Sequence, residues 1–290
     1  MVRETTIQRL GLTVIENPAF MSSAANAATQ LVSMPSAKRP KALMWTDARV
    51  EEWQRTGTVP SPVMVWTPEQ VGRFLDHVAD DRLFPLWHLI TFRGLRRGEA
   101  TAIPWTEVGL DQGLINITQQ IVAVSYEPYT DTPKADSERT IVLDETTRTL
   151  LVEWKARQDQ ERKALTAKGK WIETGRVFTT EEDGSTYHPE WISRRFRRLT
   201  KDASLPPIRL HDLRHEAATL ALTAGTDLKV VQEMLGHSTI TLTADTYTSV
   251  VPALSRAAAE AAVAIVPRNG QKPRLRVVDG AGGPTDGQAA

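Results

Sequence analysis

The sequence predicts an α+β fold that is mainly α-helical and carries a small three-stranded antiparallel sheet. Apolar residues recur at helical spacing from Thr67 to about Val108 and again from Thr146 to Ile265. Between them, from Gly113 to Leu143, the period drops to two. The chain has 290 residues, 41% of them apolar and 24% charged, which suits one large or two small domains around a real core.

Residues 1–60 carry the weakest pattern. Thr6 to Glu16 reads as a short helix closed by Asn17-Pro18, followed by an Ala- and Ser-rich stretch. Lys38-Arg39-Pro40-Lys41 then mixes a breaker with charge and reads as a linker, either a solvated loop or a DNA contact. Order begins at Thr67-Pro68-Glu69-Gln70, where Thr67 is the N-cap, Pro68 suits the first helical position and Gln70 completes a capping box. Val71, Phe74, Leu75 and Val78 continue that helix. Phe84 to Phe92 reads as a more buried helix with Pro85 near its start, and a third helix runs from about Arg96 to Ile103. Trp105 and Val108 read as core.

Ile115 and Ile117 alternate with polar neighbours. Ile121 to Val124 and Ile141 to Leu143 are continuous apolar runs, so the last two strands should be more buried than the first. The first two runs also suit one long strand, since only Gln119 and Gln120 separate them. Tyr126 to Ser137 is then a loop, with Lys134 near the tip of a hairpin. Thr146 to about Lys168 returns to helix through Leu150, Leu151, Trp154 and Ala156. Arg176 to Thr179 reads as a short strand, and Asp183-Gly184 as a turn. Helices follow over His188–Ala203, Ile208–Ala224 and Asp227–Leu235, with Gly225 and Gly236 ending the last two. A short helix over Thr241–Tyr247 and an alanine-rich one over Ala253–Ile265 complete the order. The latter packs either on its own core or on an adjacent protomer. After Pro267 the Gly, Pro and Asp content without periodicity reads as a disordered tail, 268–290.

Composition removes several chemistries. With no cysteine, disulfides, thiolate metal sites and cysteine nucleophiles are excluded, and a reducing cytoplasm is compatible. No run of about 18 apolar residues suggests a membrane span. The zero formal net charge points to no nucleic acid, so any such partner must be read from local charge. Residues 191–214 supply it: Arg194, Arg195, Arg197, Arg198, Lys201, Arg209 and Arg214 stand against only Asp202 and Asp212. This run is either a phosphate-contacting face or a solvated helix face.

Six dispersed residues carry candidate chemistry: Arg96, Lys134, His211, Arg214, His237 and Tyr247. Read singly, each has an ordinary alternative. Arg96, at a helix start suited to phosphate, is otherwise a surface arginine; Glu99, three residues on, is placed to hold a basic side chain. His211 and Arg214 share a helix face and are otherwise bound structurally by Asp212 or Glu216. His211 and His215 have metal-pair spacing, but Glu216 follows the pair instead of lying between them, which argues against a metal. Lys134 is otherwise solvated, His237 a helix C-cap and Tyr247 a core residue. Together, two arginines, a lysine and two histidines around a tyrosine are what a metal-free phosphodiester cleavage by a hydroxyl requires.

In order and spacing these residues resemble the tyrosine recombinase (phage integrase) family from about 61 to 267. Arg93-Gly94-Leu95-Arg96-Arg97-Gly98-Glu99 is similar to the family's Thr-Gly-Leu-Arg-x-x-Glu, with Arg93 replacing the leading threonine. Thr132-Pro133-Lys134 corresponds to its hairpin lysine, His211-Asp212-Leu213-Arg214-His215 to His-x-x-Arg, Leu235-Gly236-His237 to Leu-Gly-His, and Tyr247 to the nucleophile. The resemblance implies a recombinase catalytic domain over 61–267 that cuts and rejoins double-stranded DNA through a 3′-phosphotyrosine, with no metal, ATP or other cofactor. It implies that Arg96 and Arg214 clamp the phosphate, Tyr247 attacks, Lys134 protonates the leaving hydroxyl, His211 serves as acid–base partner and His237 donates a hydrogen bond. It also implies self-association as a tetramer on DNA. Family members usually carry a core-binding domain before the catalytic one; here residues 1–60 are expected to hold a remnant of its last helix plus a linker. A shortened integrase that binds DNA as a regulator, or a type IB topoisomerase-like relaxing enzyme, are the alternatives.

Overall fold

The computed structural model describes residues 4–7, 12–15, 42–124, 126–133, 137–240, 259 and 263. The chain divides into two units, Met1–Pro40 and Lys41–Ala290. In the first, β1 (Glu4–Ile7) and β2 (Leu12–Ile15) pair antiparallel, with Glu4 opposite Ile15 and Ile7 opposite Leu12. The helix expected over Thr6–Glu16 is therefore replaced by a pair of strands. Thr5, Thr6, Ile7, Thr13, Val14 and Ile15 are β-branched, and Gly11 interrupts any helical run between them.

The second unit begins at 41, not at 61. The stretch expected as linker there contains β3 (Leu43–Met44) and α1 (Asp47–Thr56), and β3 pairs in parallel with β4 (Met64–Val65). Helix α2 (Pro68–His77) starts on the capping box: the Gln70 N–H donates to Thr67 Oγ1 at 3.3 Å, and the Thr67 N–H to Gln70 Oε1 at 3.0 Å. Helix α3 (Phe84–Arg93) is the central one, buried from Pro85 to Thr91. Burying residues such as Leu86, Leu89 and Ile90 contributes about 1.5–3 kcal/mol each.

The aromatic centre of the core joins Trp66, Phe74, Trp87 and Phe196, with ring centroids 5.2–6.2 Å apart. Buried indoles also need acceptors. Trp45 donates to Pro207 O at 3.2 Å, Trp66 to Pro206 O at 2.9 Å and Trp154 to Val177 O at 2.6 Å. The first two fasten the segment just before His211 to the β3–β4 corner.

After α4 (Arg97–Ala102) a 3-10 turn, Trp105–Glu107, leads into the sheets. The three-stranded sheet has the order β5 (Val108–Gly109), β6 (Leu114–Ile117), β9 (Arg139–Val142), all antiparallel. The run at Ile121–Val124 is not part of it. That run lies in β7 (Gln120–Val124), which pairs with β8 (Glu127–Asp131) in a separate hairpin. A strand thus occupies part of the loop expected over Tyr126–Ser137. Nor is β9 buried on both faces: Ile141 is buried while Val142 is 68% exposed, because only one face meets the core. Arg176 to Thr179 makes two isolated bridges, Pro104 with Arg176 and Thr179 with Thr186, instead of a strand.

Helices α5 (Glu145–Thr166), α6 (Pro189–Asp202), α7 (Asp212–Thr223) and α8 (Leu228–Leu235) follow the expected order. Helix α7 starts four residues later than expected. The Asp212 carboxylate accepts the Arg209 backbone N–H at 2.9 Å and fixes a turn there. The helix expected over Thr241–Tyr247, most of that over Ala253–Ile265, the Lys38–Lys41 linker and the 268–290 tail lie outside the described residues; Ala259 and Val263 are helical. Among the described residues no helix is long and apolar enough to cross a membrane.

Candidate active site

Gly94 ends α3 in the left-handed region, at φ +63°, and turns the chain so that Arg96 caps the start of α4. The Glu99 carboxylate folds back onto that start. It accepts the Arg96 backbone N–H at 2.8 Å and the Arg96 Nη1 at 2.5 Å. Glu99 is fully buried. Burial alone would raise its pKa, but hydrogen bonding and charge from Arg139, with Arg96 and Arg214 nearby, hold it at about 2. Glu99 is therefore a fixed anion at the start of α4.

Arg214 lies on the first turn of α7 and is 2% exposed. Its Nη1 donates to Gly94 O at 2.7 Å and its Nη2 to Leu235 O. Both carbonyls end helices, α3 and α8, where the backbone dipole favours a cation. Asp212 is engaged by Arg209 at 2.6 Å, and Glu216 accepts the Trp66 backbone N–H at 2.6 Å.

His211 precedes α7 and is exposed on the cleft side. The protein packed around it and the charge of Arg214 lower its pKa. His215 stands edge-on to His211, with ring centroids 5.6 Å apart, and burial beside His211 lowers it to about 4. His237 follows Gly236, the left-handed residue that closes α8. Its N–H donates to Gln232 O at 3.1 Å, and Gln232 Nε2 donates to its carbonyl at 2.9 Å, which fixes the backbone there. Burial and then Arg214 and Arg96 push the His237 pKa down to about 3. Such histidines are neutral near pH 7 and each offers one N–H and one acceptor nitrogen.

Of the six candidates, the fold brings Arg96, His211, Arg214 and His237 within electrostatic reach of one another, both histidines feeling the charges of Arg96 and Arg214. Lys134 and Tyr247 lie outside the described residues. The β7–β8 hairpin closes between Val124 and Glu127.

A cleft of about 1110 Å³ opens beside Arg96 and His211. Helix α6 forms one wall through Arg194 and Arg197, and β7 with Tyr126 forms another. Arg198 is exposed on α6 outside this lining. Arg195 departs from the expected DNA face: it turns to Asp81 at 2.5 Å and stacks over Trp191 at 5.4 Å. Its phase on the helix explains this. Positions 190, 193, 194 and 197 share the cleft side, and 195 lies beside 191 on another. Arg97 is also held across the cleft, by Glu190 at 2.8 Å and Ser193 at 3.0 Å.

Arg139 was not among the expected residues. It reaches from β9 into the site, where its Nη2 meets Glu99 at 2.9 Å. One signal pointed to it. Arg139 has the same strand phase as buried Ile141, and a charged side chain on an inward phase needs a partner. Among the described residues no group of three His, Asp or Glu side chains is arranged to hold a metal ion.

The family model described as the phage integrase family matches residues 65–253. A tyrosine recombinase XerC-like protein of Caldanaerobacter subterraneus subsp. tengcongensis is 29% identical over 205 residues, covering 67% of this chain and 52% of its own. The ICEBs1 integrase of Bacillus subtilis is 27% identical over 190 residues, covering 64% and 50%. The chain therefore spans about half the length of these curated relatives. Among solved structures, XerA recombinase superposes with a TM-score of 0.53 at 21% identity, over 67% of this chain and 64% of the other. The Tn1549 transposon integrase in complex with a circular intermediate DNA reaches 0.55 at 20% identity, over 80% and 75%.

Proposed function

The chain belongs to the phage integrase family, and from that premise we propose that it is a site-specific DNA recombinase. The observation that carries this reading is the pair Arg96 and Arg214. Arg96 stands at the start of α4, held by Glu99, and Arg214 on the first turn of α7, held by Gly94 O; a basic cleft opens beside Arg96. Guanidinium groups fixed in this way match the non-bridging oxygens of a phosphodiester. They stabilise the charge that develops as phosphorus gains a fifth ligand.

In this reading Tyr247 Oη attacks phosphorus and the bond to the 5′ oxygen breaks, leaving a 3′-phosphotyrosine. His211 takes the tyrosine proton, and Lys134 gives one to the departing 5′ hydroxyl. His237 donates a hydrogen bond to the phosphate. A 5′ hydroxyl from a partner strand then attacks the phosphotyrosine and restores the backbone. The energy of the broken bond is kept in the phosphotyrosine, so neither ATP nor metal enters the balance. Arg194 and Arg197 contact backbone phosphates along the cleft, with Arg198 further along α6. The partners are double-stranded DNA and further copies of the chain assembled as a tetramer, acting in the cytoplasm. The solved Tn1549 integrase complex, which contains DNA, supports the choice of partner.

The test is a pool of nicked suicide duplexes with randomised cores, on which cleavage cannot be reversed. Protein joined to DNA on a denaturing gel is expected, and Tyr247→Phe should abolish it. Retarded DNA without any covalent product, at high protein concentration, would overturn the chemistry and leave a DNA-binding protein. Plasmid relaxation with no strand exchange would instead mark a type IB topoisomerase-like activity.

A further inference from the structure

One buried charge takes no part in the chemistry above. The Arg139 side chain is 6% exposed, and its guanidinium is spent entirely inside the protein. Nε donates to Met234 O at 2.8 Å. Nη1 donates to Ser137 O at 3.1 Å and Glu99 Oε1 at 3.2 Å, and Nη2 to Glu99 Oε2 at 2.9 Å. Its seat is tight: a Cβ on Gly236 would lie 3.0 Å from Arg139 Cδ, and Gly236 has a φ of +63°.

Glu99 consequently receives four donors, two on each oxygen. Oε1 takes Arg96 Nη1 and Arg139 Nη1; Oε2 takes the Arg96 backbone N–H and Arg139 Nη2. A carboxylate offers about four such positions, so none is left. Arg96 therefore reaches Glu99 through one terminal nitrogen only, while its side chain is 35% exposed on the cleft. A carboxylate with two vacant positions at full burial would draw in the nearest cation with its whole fork, and that cation is Arg96.

We propose that Arg139 is a positioning residue for the reaction: by occupying half of the Glu99 acceptor sites it keeps Arg96 singly bound and turned toward the phosphate. Through Met234 it also fixes the end of α8, one residue from the carbonyl that holds Arg214 and three from His237. This rests on the reading of Arg96 as a phosphate ligand.

The closing experiment compares wild type with Arg139→Met, Arg139→Lys and the double variant Arg139→Met/Glu99→Gln in single-turnover adduct formation at saturating DNA. Arg139→Met should slow cleavage about 100-fold, the scale of a reacting group displaced by about 1 Å. In the double variant the neutral amide at position 99 no longer captures Arg96, and the rate should recover at least about tenfold over the single. A merely structural arginine predicts the reverse, a double variant as impaired as the single or more so, and that result overturns the proposal. So does Arg139→Met cleaving within about twofold of wild type. Should the methionine variants fail to fold, Arg139→Lys keeps the charge but fills fewer acceptor sites. About tenfold loss is expected of it, and a wild-type rate would be fatal to the idea. If wild type itself forms no adduct, the recombinase reading fails by itself. The crystal structure of Arg139→Met or Arg139→Lys then decides this proposal alone. Arg96 with both terminal nitrogens on Glu99 supports it, and Arg96 unmoved overturns it.

Discussion

Glu99 on α4 and Glu216 on α7 are both fully buried glutamates, yet they are opposite in character. Glu99 faces Arg96 and Arg139 and is held ionised, with a pKa of about 2. Glu216 receives the Trp66 N–H on one oxygen, its other oxygen has no hydrogen-bond partner among the described residues, and burial pushes it up to about 8. The difference lies in what faces each carboxylate, since both are equally far from water. One corner of the molecule is built to keep a charge, the other to suppress it.

The sharpest way to break this comparison is Glu99→Ala. It leaves Arg139 buried without an anion, and a loss of about 3–5 kcal/mol is expected in urea unfolding. In the wild type, the contribution of Glu99 is complete above its ordinary pKa of 4.5 and is lost as pH falls from there toward 2. Glu216 has the other sign. Its raised pKa means that the folded state keeps a proton the unfolded chain releases, so its contribution is complete below 4.5 and drains away as pH rises to about 8. Glu216→Gln should remove that slope and leave the variant more stable than wild type at pH 8, by on the order of 2 kcal/mol. Equal stability of the two proteins across pH 5–8 would show that Glu216 is not held neutral. A third carboxylate sets the baseline. Glu52 pairs with Arg55 at 2.7 Å, but the two side chains are 54% and 71% exposed. Glu52→Gln should leave the unfolding midpoint unchanged within error, and a shift comparable to that of Glu99→Ala would mean burial is not what separates these residues.

Glu99 shows how far the sequence reaches. Its place three residues after Arg96 was enough to assign it a basic side chain to hold, because that contact is local to one helical turn. The α2 capping box was legible for the same reason. Arg139 was not, because its partner stands 40 residues away and is found only once β9 is folded beside α4. Arg195 failed similarly: the run of arginines announced charge, but Asp81, 114 residues distant, decides which way that side chain turns. Periodicity identified β6, β7 and β9 as strands but put all three in one sheet, whereas β7 pairs with β8 instead. It also read Thr6–Glu16 as a helix where strands stand at 4–7 and 12–15. Helix α1 was overlooked because, with Val50 and Trp53 as its main apolar residues, it has little stripe to read. The order of the boxes from Arg96 to His237 was legible, and the fold adds the carbonyls of Gly94 and Leu235 that seat Arg214.

The tryptophans that fasten the core have a practical corollary. All eight in the chain, from Trp45 to Trp191, fall within the unit that begins at Lys41. Intrinsic fluorescence is therefore a one-sided reporter. It follows the melting of the helical unit, including the Trp45 and Trp66 anchors next to His211, and is blind to the strand pair near the amino terminus. Tryptophan light from this protein carries news of the unit that begins at Lys41 alone.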